Sequence, residues 1–172
     1  MIVANEHISL RIPVMDDLHP LLKWENDPVN WLISETSEAY TIATMSAFIQ
    51  SNHCLKTHGQ LRLMLVMNQI QKPIGTIDFF DFQPDENQVS VGILIGEVNY
   101  RKMGLATTGL KLAMQYAASV GIKKLKASMF DTNVASKRLF TKLGFIDKGI
   151  NKLREYEDQS LIELLMEYNF EK

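Results

Sequence analysis

The stretch NYRKMGLAT, residues 99–107, places two cationic side chains and a glycine immediately before a long segment with helical periodicity. The preceding residues 88–96 read QVSVGILIG, which is typical of a buried strand. After the loop, apolar residues recur at helical spacing from Leu105 to near Val120, and Gly121 follows as a helix terminator. The pattern predicts a strand, a loop and a long helix in direct succession.

This loop meets the physical requirements of an anion site. The first N–H groups of a helix lack internal acceptors, and the helix dipole makes that end positive. Gly104 and Ala106 allow a ligand to approach the backbone closely, and Arg101 and Lys102 add positive charge. These features predict a cradle for a phosphate or pyrophosphate. The GxxxxGK[ST] and GxGxxG patterns are both absent, and such a short combination also occurs by chance.

Composition limits the remaining possibilities. With 172 residues, of which 46% are apolar and 22% charged, we expect one globular domain over residues 1–172. A net charge of −2 disfavours general nucleic-acid or membrane-surface binding. The single cysteine, Cys54, excludes an internal disulfide, and the scattered histidines indicate no metal site. The sequence shows neither a signal-peptide pattern nor an apolar run of the ~20 residues that span a bilayer, so we expect a cytoplasmic protein.

The other segments predict a sheet flanked by helices. HISLRIPV, residues 7–14, alternates as a strand, and two apolar-periodic segments within residues 15–50 follow as helices. Three strand-like runs within residues 60–96 are joined by short turns and predict an antiparallel meander. A strand, a short helix with Asn133 as N-cap and Gly144 as terminator, and a β pair complete the order βαα-βββ-αβαββ. This order predicts an α/β (α+β) sandwich with a mixed sheet.

Two motifs in this order resemble those of a known family. Arg-x-x-Gly-x-Ala at residues 101–106 follows a strand, and Asn-x-x-Ser at residues 133–136 leads to Leu-Gly-Phe at residues 143–145. They resemble the acetyl-CoA loop and the later motif of the GCN5-related N-acetyltransferase (GNAT) family. The match is specific from Arg101 to Phe145 and extends more weakly over nearly the whole chain. WENDPVNWL, residues 24–32, is similar to the RimJ/RimL and bacterial spermidine (SpeG-like) acetyltransferase branch.

The resemblance implies the GNAT fold, a mixed and mostly antiparallel sheet of about six or seven strands with about four helices on both faces. It also implies acetyl-CoA as the acetyl donor, with CoA as product. In the family, the sheet opens beside the strand that precedes the loop, so that main-chain groups of this strand bind the pantetheine arm. The cofactor-binding residues implied here are Ile93, Leu94 and Ile95 for pantetheine, and Arg101, Lys102, Met103, Gly104, Leu105, Ala106 and Thr107 for the pyrophosphate.

Three later residues, which are Asn133, Arg138 and Lys142, are further candidates for CoA contacts. Asn133 matches the family's asparagine, which bonds the pantetheine amide or orders the local loop, and it is equally well explained as a helix N-cap. Lys142 or Arg138 could meet the CoA 3′-phosphate, and the alternative for both is a solvated charge on the helix surface.

The residues at the catalytic positions depart from the family pattern. Many relatives use a glutamate on the strand before the loop as base and a tyrosine on the later helix as acid, whereas Ser90 and Phe140 stand here. A primary amine has a pKa of about 10.4 and attacks only when neutral, so direct transfer needs a proton acceptor. Ser90 could order a water molecule. Ser136, one helical turn before Phe140, could donate a hydrogen bond to the thiolate or simply allow CoA to approach.

The base therefore stays open at the level of sequence. Phe140 is expected to pack in the core or against the acyl end of the site. Proximity of the reactants alone can also lower the barrier without a strong base. Spacing does not choose among the further candidates for a base or hydroxyl donor, which are Asp78, Asp81, Glu35, Glu38, Tyr100 and Tyr156.

The acceptor is expected near the first helices. Glu25, Trp31 and Glu35 predict a pocket for a polyamine such as spermidine, through charge pairing and cation–π contact. An exposed acidic surface is the alternative reading, and a protein N-terminus or an aminoglycoside fits nearly as well. Because the usual glutamate and tyrosine are absent, a catalytically weak acetyl-CoA-binding module is a second hypothesis. A homo-oligomer is common among similar proteins, and the apolar segment SLIELLMEYNF could meet a partner.

Overall fold

The computed structural model describes residues 1–30, 38–51, 53–156 and 159–170. The strands are β1 (Val3–Ala4), β2 (Ile8–Arg11), β3 (Leu61–Met67), β4 (Lys72–Gln83), β5 (Gln88–Ile95), β6 (Lys124–Phe130), β7 (Ile146–Tyr156) and β8 (Gln159–Asn169). The helices are α1 (Leu18–Glu25), α2 (Ile42–Gln50), α3 (Leu55–His58), α4 (Leu105–Ser119) and α5 (Val134–Lys142). The strands form one sheet in the order β1-β2-β3-β4-β5-β6-β8-β7.

This architecture confirms the predicted sandwich and the antiparallel meander of β3, β4 and β5. The eighth strand is β1, which pairs only Val3 and Ala4 with β2 and is too short to show an alternating pattern in sequence. The single turn of α3 was also not predicted. Among the described helices, none is long and apolar enough to cross a membrane.

Helices cover both faces of the sheet because each central strand presents apolar side chains to both sides. On one face, Leu110 and Ala117 of α4 belong to a cluster with Leu65 and Ile77. The opposite face carries a second cluster, which contains Leu21 and Trp24 of α1, Met45 and Ile49 of α2, and Met64 and Val66 of β3. Neighbouring residues of β3 therefore pack against helices on opposite faces, and the sheet lies between the two helical layers.

The centre of the sheet opens between β5 and β6. These strands run parallel and pair only from Gln88 with Lys124 to Ser90 with Lys126. Beyond that point β5 continues its pairing with β4 as far as Ile95, while β6 follows β8. The two strands thus part after three residue pairs, and one edge of β5 is left without a strand neighbour among the described residues.

The end of β5 is locked to α1 at Gly96. A Cβ atom at this position would lie 2.2 Å from Cδ2 of the buried Trp24. The Trp24 indole Nε1 donates to Glu97 Oε1 at 3.2 Å, and Lys23 and Lys72 bind the same carboxylate at 2.9 Å. Hydrogen bonds from Lys23, Lys72 and Trp24 lower the pKa of Glu97 to about 2, so the carboxylate stays ionised at neutral pH.

We expect Gly96→Ala to destabilise the protein by about 2–3 kcal/mol, because a methyl group there must displace a rigid indole ring. Urea denaturation of the two proteins measures the difference. Gly92→Ala is the matched control, since its Cβ would lie 3.6 Å from Phe80, an ordinary contact. Equal losses in the two variants would contradict the close approach of α1 to Gly96.

Candidate active site

Two cavities meet at the gap between β5 and β6. The inner cavity, of about 400 Å³, lies under α1 and α2 and is lined by Glu25, Phe48, His53, Arg62 and Asp78 among others. The outer cavity, of about 540 Å³, extends from the gap toward β7 and β8. The residues that line both are Phe80, Val91, Gly92, Ile93, Ser128, Asn133 and Ser136. A group placed in the gap is therefore accessible from both cavities.

The loop before α4 leaves its donors unused. Lys102 and Gly104 have positive φ angles of 62° and 77°, which turn the chain into the helix. The first N–H group of α4 with a backbone acceptor is that of Thr108, which donates to Gly104 at 3.1 Å. In the described part of the chain, the N–H groups of residues 105–107 have no acceptor. No atom lies within 4 Å of a Cβ atom built at Gly104, so the loop has both the donors and the space for a pyrophosphate.

Arg101 has a different role from the one its charge suggests. Its Nε donates to the main-chain oxygen of Ile95 at 2.9 Å, which ties the loop to the end of β5. This hydrogen bond uses one of the two lone pairs of the Ile95 carbonyl oxygen, and the predicted main-chain contact of Ile95 with pantetheine stays a prediction. Lys102 and Met103 are exposed and leave the loop open to solvent.

The edge of β5 beside the gap is available to a ligand. Ile93 and Leu94 pair with Ile77 and Thr76 of β4 on one side only. In an antiparallel ladder, alternate residues direct their N–H and C=O groups away from the partner strand. Here those groups point into the gap, as the predicted pantetheine site requires.

Helix α5 brings the later motif to the same gap. The Asn133 side-chain oxygen accepts the N–H of Ser136 at 3.1 Å, which confirms the N-cap. Phe140 is buried, packs edge-on against Phe145 at 4.9 Å between ring centroids and has no group that could transfer a proton. Lys142 is exposed and lines neither of the two cavities.

The other candidates for proton transfer are dispersed. Ser90, the last β5 residue paired with β6, lines the outer cavity, as does the exposed Asp81. Glu38 is exposed. The Lys72 ammonium nitrogen lies 5.4 Å from the centroid of the Tyr100 ring. Trp31, Glu35 and the side chain of Tyr156 lie outside the described residues. In the described ranges, no group of three or more histidine, cysteine or carboxylate side chains could hold a metal.

The inner cavity contains a partly buried ion cluster. Arg62 Nη1 binds Glu25 Oε1 and Arg62 Nε binds Asp78 Oδ1, both at 2.5 Å. Burial lowers the pKa of Arg62, but Asp78 and Glu25 outweigh this effect and raise the pKa above its ordinary value. Arg62 therefore stays charged. Two carboxylates and one guanidinium give the three side chains a formal charge of −1.

An aromatic wall adjoins this cluster. The guanidinium carbon of Arg62 lies 5.1 Å from the Phe48 ring centroid, and the Phe48 ring meets the His53 ring edge-on at 4.9 Å. His53 is 8% exposed, and its Nε2 has no hydrogen-bond partner among the described residues. Sequence reasoning did not find these three residues. Only Arg62 carried a signal, as a cation within the apolar strand QLRLMLVM.

The mixed sheet opens beside the start of α4, where N–H groups have no acceptor among the described residues. This arrangement is suited to a phosphate-bearing ligand. The sequence profile of the acetyltransferase (GNAT) domain matches residues 7–146. The chain therefore belongs to this family and is an acetyltransferase, as the motifs predicted. No match is found among curated proteins by sequence comparison.

Solved structures with the same fold cover almost the whole chain. Spermidine N-acetyltransferase from Vibrio cholerae, in complex with CoA and spermine, has a TM-score of 0.83 at 15% identity over 96% of each chain. A GNAT-family acetyltransferase from Bacillus anthracis has 0.81 at 17% identity over 99% of each chain. Microcin C7 self-immunity acetyltransferase MccE, in complex with acetyl-CoA and AMP, has 0.78 at 19% identity over 96% of this chain and 94% of that chain. At these identities the likeness concerns the fold.

We expect Arg62→Met to lower the free energy of unfolding by about 3 kcal/mol, because it leaves two mostly buried carboxylates without their counter-charge. Chemical denaturation at neutral pH measures the loss. Arg138→Met, an exposed change on α5, serves as the control and should change stability by less than about 0.5 kcal/mol. An equally small loss for Arg62→Met would show that the ion cluster contributes little to the free energy of unfolding.

Proposed function

We propose that this acetyltransferase moves the acetyl group of acetyl-CoA directly to a primary amine that enters the inner cavity, and that a polyamine such as spermidine is the acceptor. The observation that carries the proposal is the meeting of two cavities at the gap between β5 and β6, beside a helix start suited to pyrophosphate. A donor and an acceptor that approach from different sides can react at this gap without an enzyme-bound acetyl intermediate.

The donor site follows from the loop and the open strand edge. Residues 105–107 supply N–H groups without an acceptor among the described residues, Gly104 leaves space for the pyrophosphate, and Lys102 adds a positive charge. Main-chain groups of Ile93 and Leu94 would hold the pantetheine arm, which points the thioester toward Asn133 and Ser136. Both of these residues line both cavities.

The charge of the inner cavity favours a cation. Glu25 and Asp78 both bind the guanidinium of Arg62, so the cluster of three side chains has a formal excess of one negative charge, which favours a cation. The Phe48 and Phe80 rings add surfaces for cation–π contact. A slender, unbranched amine suits the cavity volume of about 400 Å³. The similar fold of the spermidine N-acetyltransferase supports this choice.

The chemistry requires stabilisation of the leaving thiolate as well as removal of a proton. Ser136 lines the gap and has a hydroxyl group that can donate to the thiolate as the C–S bond breaks. Ser90 at the start of the gap can hold a water molecule in the outer cavity. Phe140 acts through packing alone, because its ring belongs to the core.

A peptide N-terminus is the second candidate acceptor. The observation in its favour is the outer cavity, which continues from the gap past Ser90 to Asn151 and Glu163 and offers room for residues that follow a terminal amine. A binding module with little turnover is the third reading, since Ser90 and Phe140 replace the usual base and acid.

We expect Gly104→Glu to weaken CoA binding at least tenfold, or about 1.4 kcal/mol, because the new side chain brings bulk and negative charge to the phosphate space. Isothermal titration calorimetry with CoA measures the effect. Gly59→Glu is a matched control, since Gly59 has nearly the same backbone angles, φ 70° and ψ 1°, and equally open space at Cβ. Unchanged CoA affinity in a folded Gly104→Glu protein would refute the donor site.

The acceptor class is tested by following free-thiol release from acetyl-CoA with spermidine, spermine, putrescine, peptides with free N-termini and an aminoglycoside. We expect polyamines to give the highest kcat/KM, because the inner cavity has a net negative charge. Preference for peptides would replace the polyamine by the second candidate. CoA binding without turnover on any amine would favour the binding module.

A further inference from the structure

The carboxylates of the inner cavity are poorly placed to accept a proton. Asp78 accepts from Arg62 through Oδ1, and its Oδ2 lies 3.4 Å from the Thr76 hydroxyl. Glu25 is bound to the same guanidinium. Protonation of either carboxylate would weaken an ion pair with a permanently charged, mostly buried arginine. The proton acceptor for the amine is therefore to be sought elsewhere on the cavity wall.

His53 has the geometry that these carboxylates lack. It follows the C-terminal end of α2, where the nearby backbone carbonyls of Ile49 and Phe48 raise the pKa of its ring. The ring nitrogen Nε2 is buried and has no hydrogen-bond partner among the described residues. When the neutral ring carries its proton on Nδ1, Nε2 keeps a lone pair that can accept a second proton. The side chain is more than nine-tenths buried and lines the inner cavity.

The surrounding charges suit a base that works near neutral pH. Burial lowers the pKa of His53, the carbonyls of Ile49 and Phe48 raise it, and Arg62 of β3 lowers it while Asp78 of β4 raises it. Glu25 of α1 faces the same cluster through Arg62. The net effect is a pKa below the ordinary value, so the ring is neutral at pH 7. When the imidazolium forms, the negative end of the α2 dipole stabilises it.

We propose that His53 is the catalytic base of the acetyl transfer and accepts the proton of the acceptor ammonium at Nε2. This inference rests on the proposed function. The ammonium loses one proton to Nε2, and the neutral nitrogen attacks the thioester carbon to form the C–N bond. The C–S bond then breaks, and the second nitrogen proton passes to the thiolate to give CoA. The imidazolium finally releases its proton to solvent, so one amide, one thiol and one proton result.

A role in packing alone leaves the orphaned nitrogen unexplained. Buried polar atoms in proteins are almost always hydrogen-bonded, and an unpaired one costs free energy. A histidine kept only for its shape could be replaced by an apolar ring without that cost. Since His53 lines the inner cavity, uptake of a substrate proton at Nε2 accounts for the presence of a buried nitrogen without a partner there.

The test is the pH dependence of kcat/KM for spermidine, or for the amine of the panel that turns over best. For the wild type we expect kcat/KM to rise with unit slope up to the lowered pKa of His53 and then to form a plateau that extends through neutral pH, since His53 is deprotonated above that pKa. His53→Asn keeps a polar, hydrogen-bonding side chain at this position but has no base. We expect kcat/KM of this variant to be about 10²–10³-fold lower than that of the wild type at pH 7. It should then rise continuously toward pH 10, because it follows only the fraction of neutral amine.

Two further variants separate chemistry from structure. His58→Asn changes an exposed histidine five residues away and should leave the wild-type profile intact. In His53→Ala, added imidazole should raise the activity at least tenfold. The rescued activity should fall at low pH, with an apparent pKa equal to that of imidazole. CoA affinity measured by calorimetry should be unchanged in all variants, which shows that they are folded.

The outcomes distinguish this inference from the proposed function. Turnover by His53→Asn with the plateau of the wild type, or absence of imidazole rescue in a folded His53→Ala protein, would overturn the role of His53 and leave the acetyltransfer to amines standing. Absence of wild-type turnover on every amine would overturn the proposed function, and the role of His53 with it. Loss of the plateau together with imidazole rescue would establish His53 as the base.

Discussion

The structure depends on the parting of β5 from β6. Three parallel residue pairs hold the two strands together, and after Ser90 and Lys126 each strand follows a different neighbour. A continuous ladder would satisfy the backbone groups of β5 on both edges and would close the space between the inner and outer cavities. Separation instead leaves main-chain donors and acceptors facing an opening, where only water or a ligand can satisfy them.

The elements around this opening are mechanically connected. Arg101 joins the loop before α4 to the last carbonyl of β5, and Glu97 joins the same strand end to α1 through Trp24 and Lys23. Helix α1 in turn contributes Glu25 to the inner cavity. The side that would hold the donor and the side that would hold the acceptor are thus fixed to one strand, which favours a constant distance between the two reactants.

Ser90 and Phe140 change how protons must be handled in this acetyltransferase. Neither side chain supplies a strong base or acid, and the carboxylates nearest to the opening are neutralised in part by Arg62. Burial and the end of α2 give His53 an environment in which a neutral ring is favoured and an imidazolium is tolerated. The division of roles that we propose differs from the one implied by the family resemblance, while the fold agrees with it.

The sequence alone determined the features that consist of consecutive residues. The strand, the glycine loop and α4 lie within residues 88–121, and the N-cap at Asn133 is likewise local, so period and turn chemistry were sufficient to predict them. The two-residue β1 was too short for such a pattern. Tertiary structure decided the inner cavity, because Glu25, His53, Arg62 and Asp78 come from four separate segments and meet only when α1 and α2 pack on the sheet. Their charges and hydrogen bonds depend on that burial, which no spacing along the chain records.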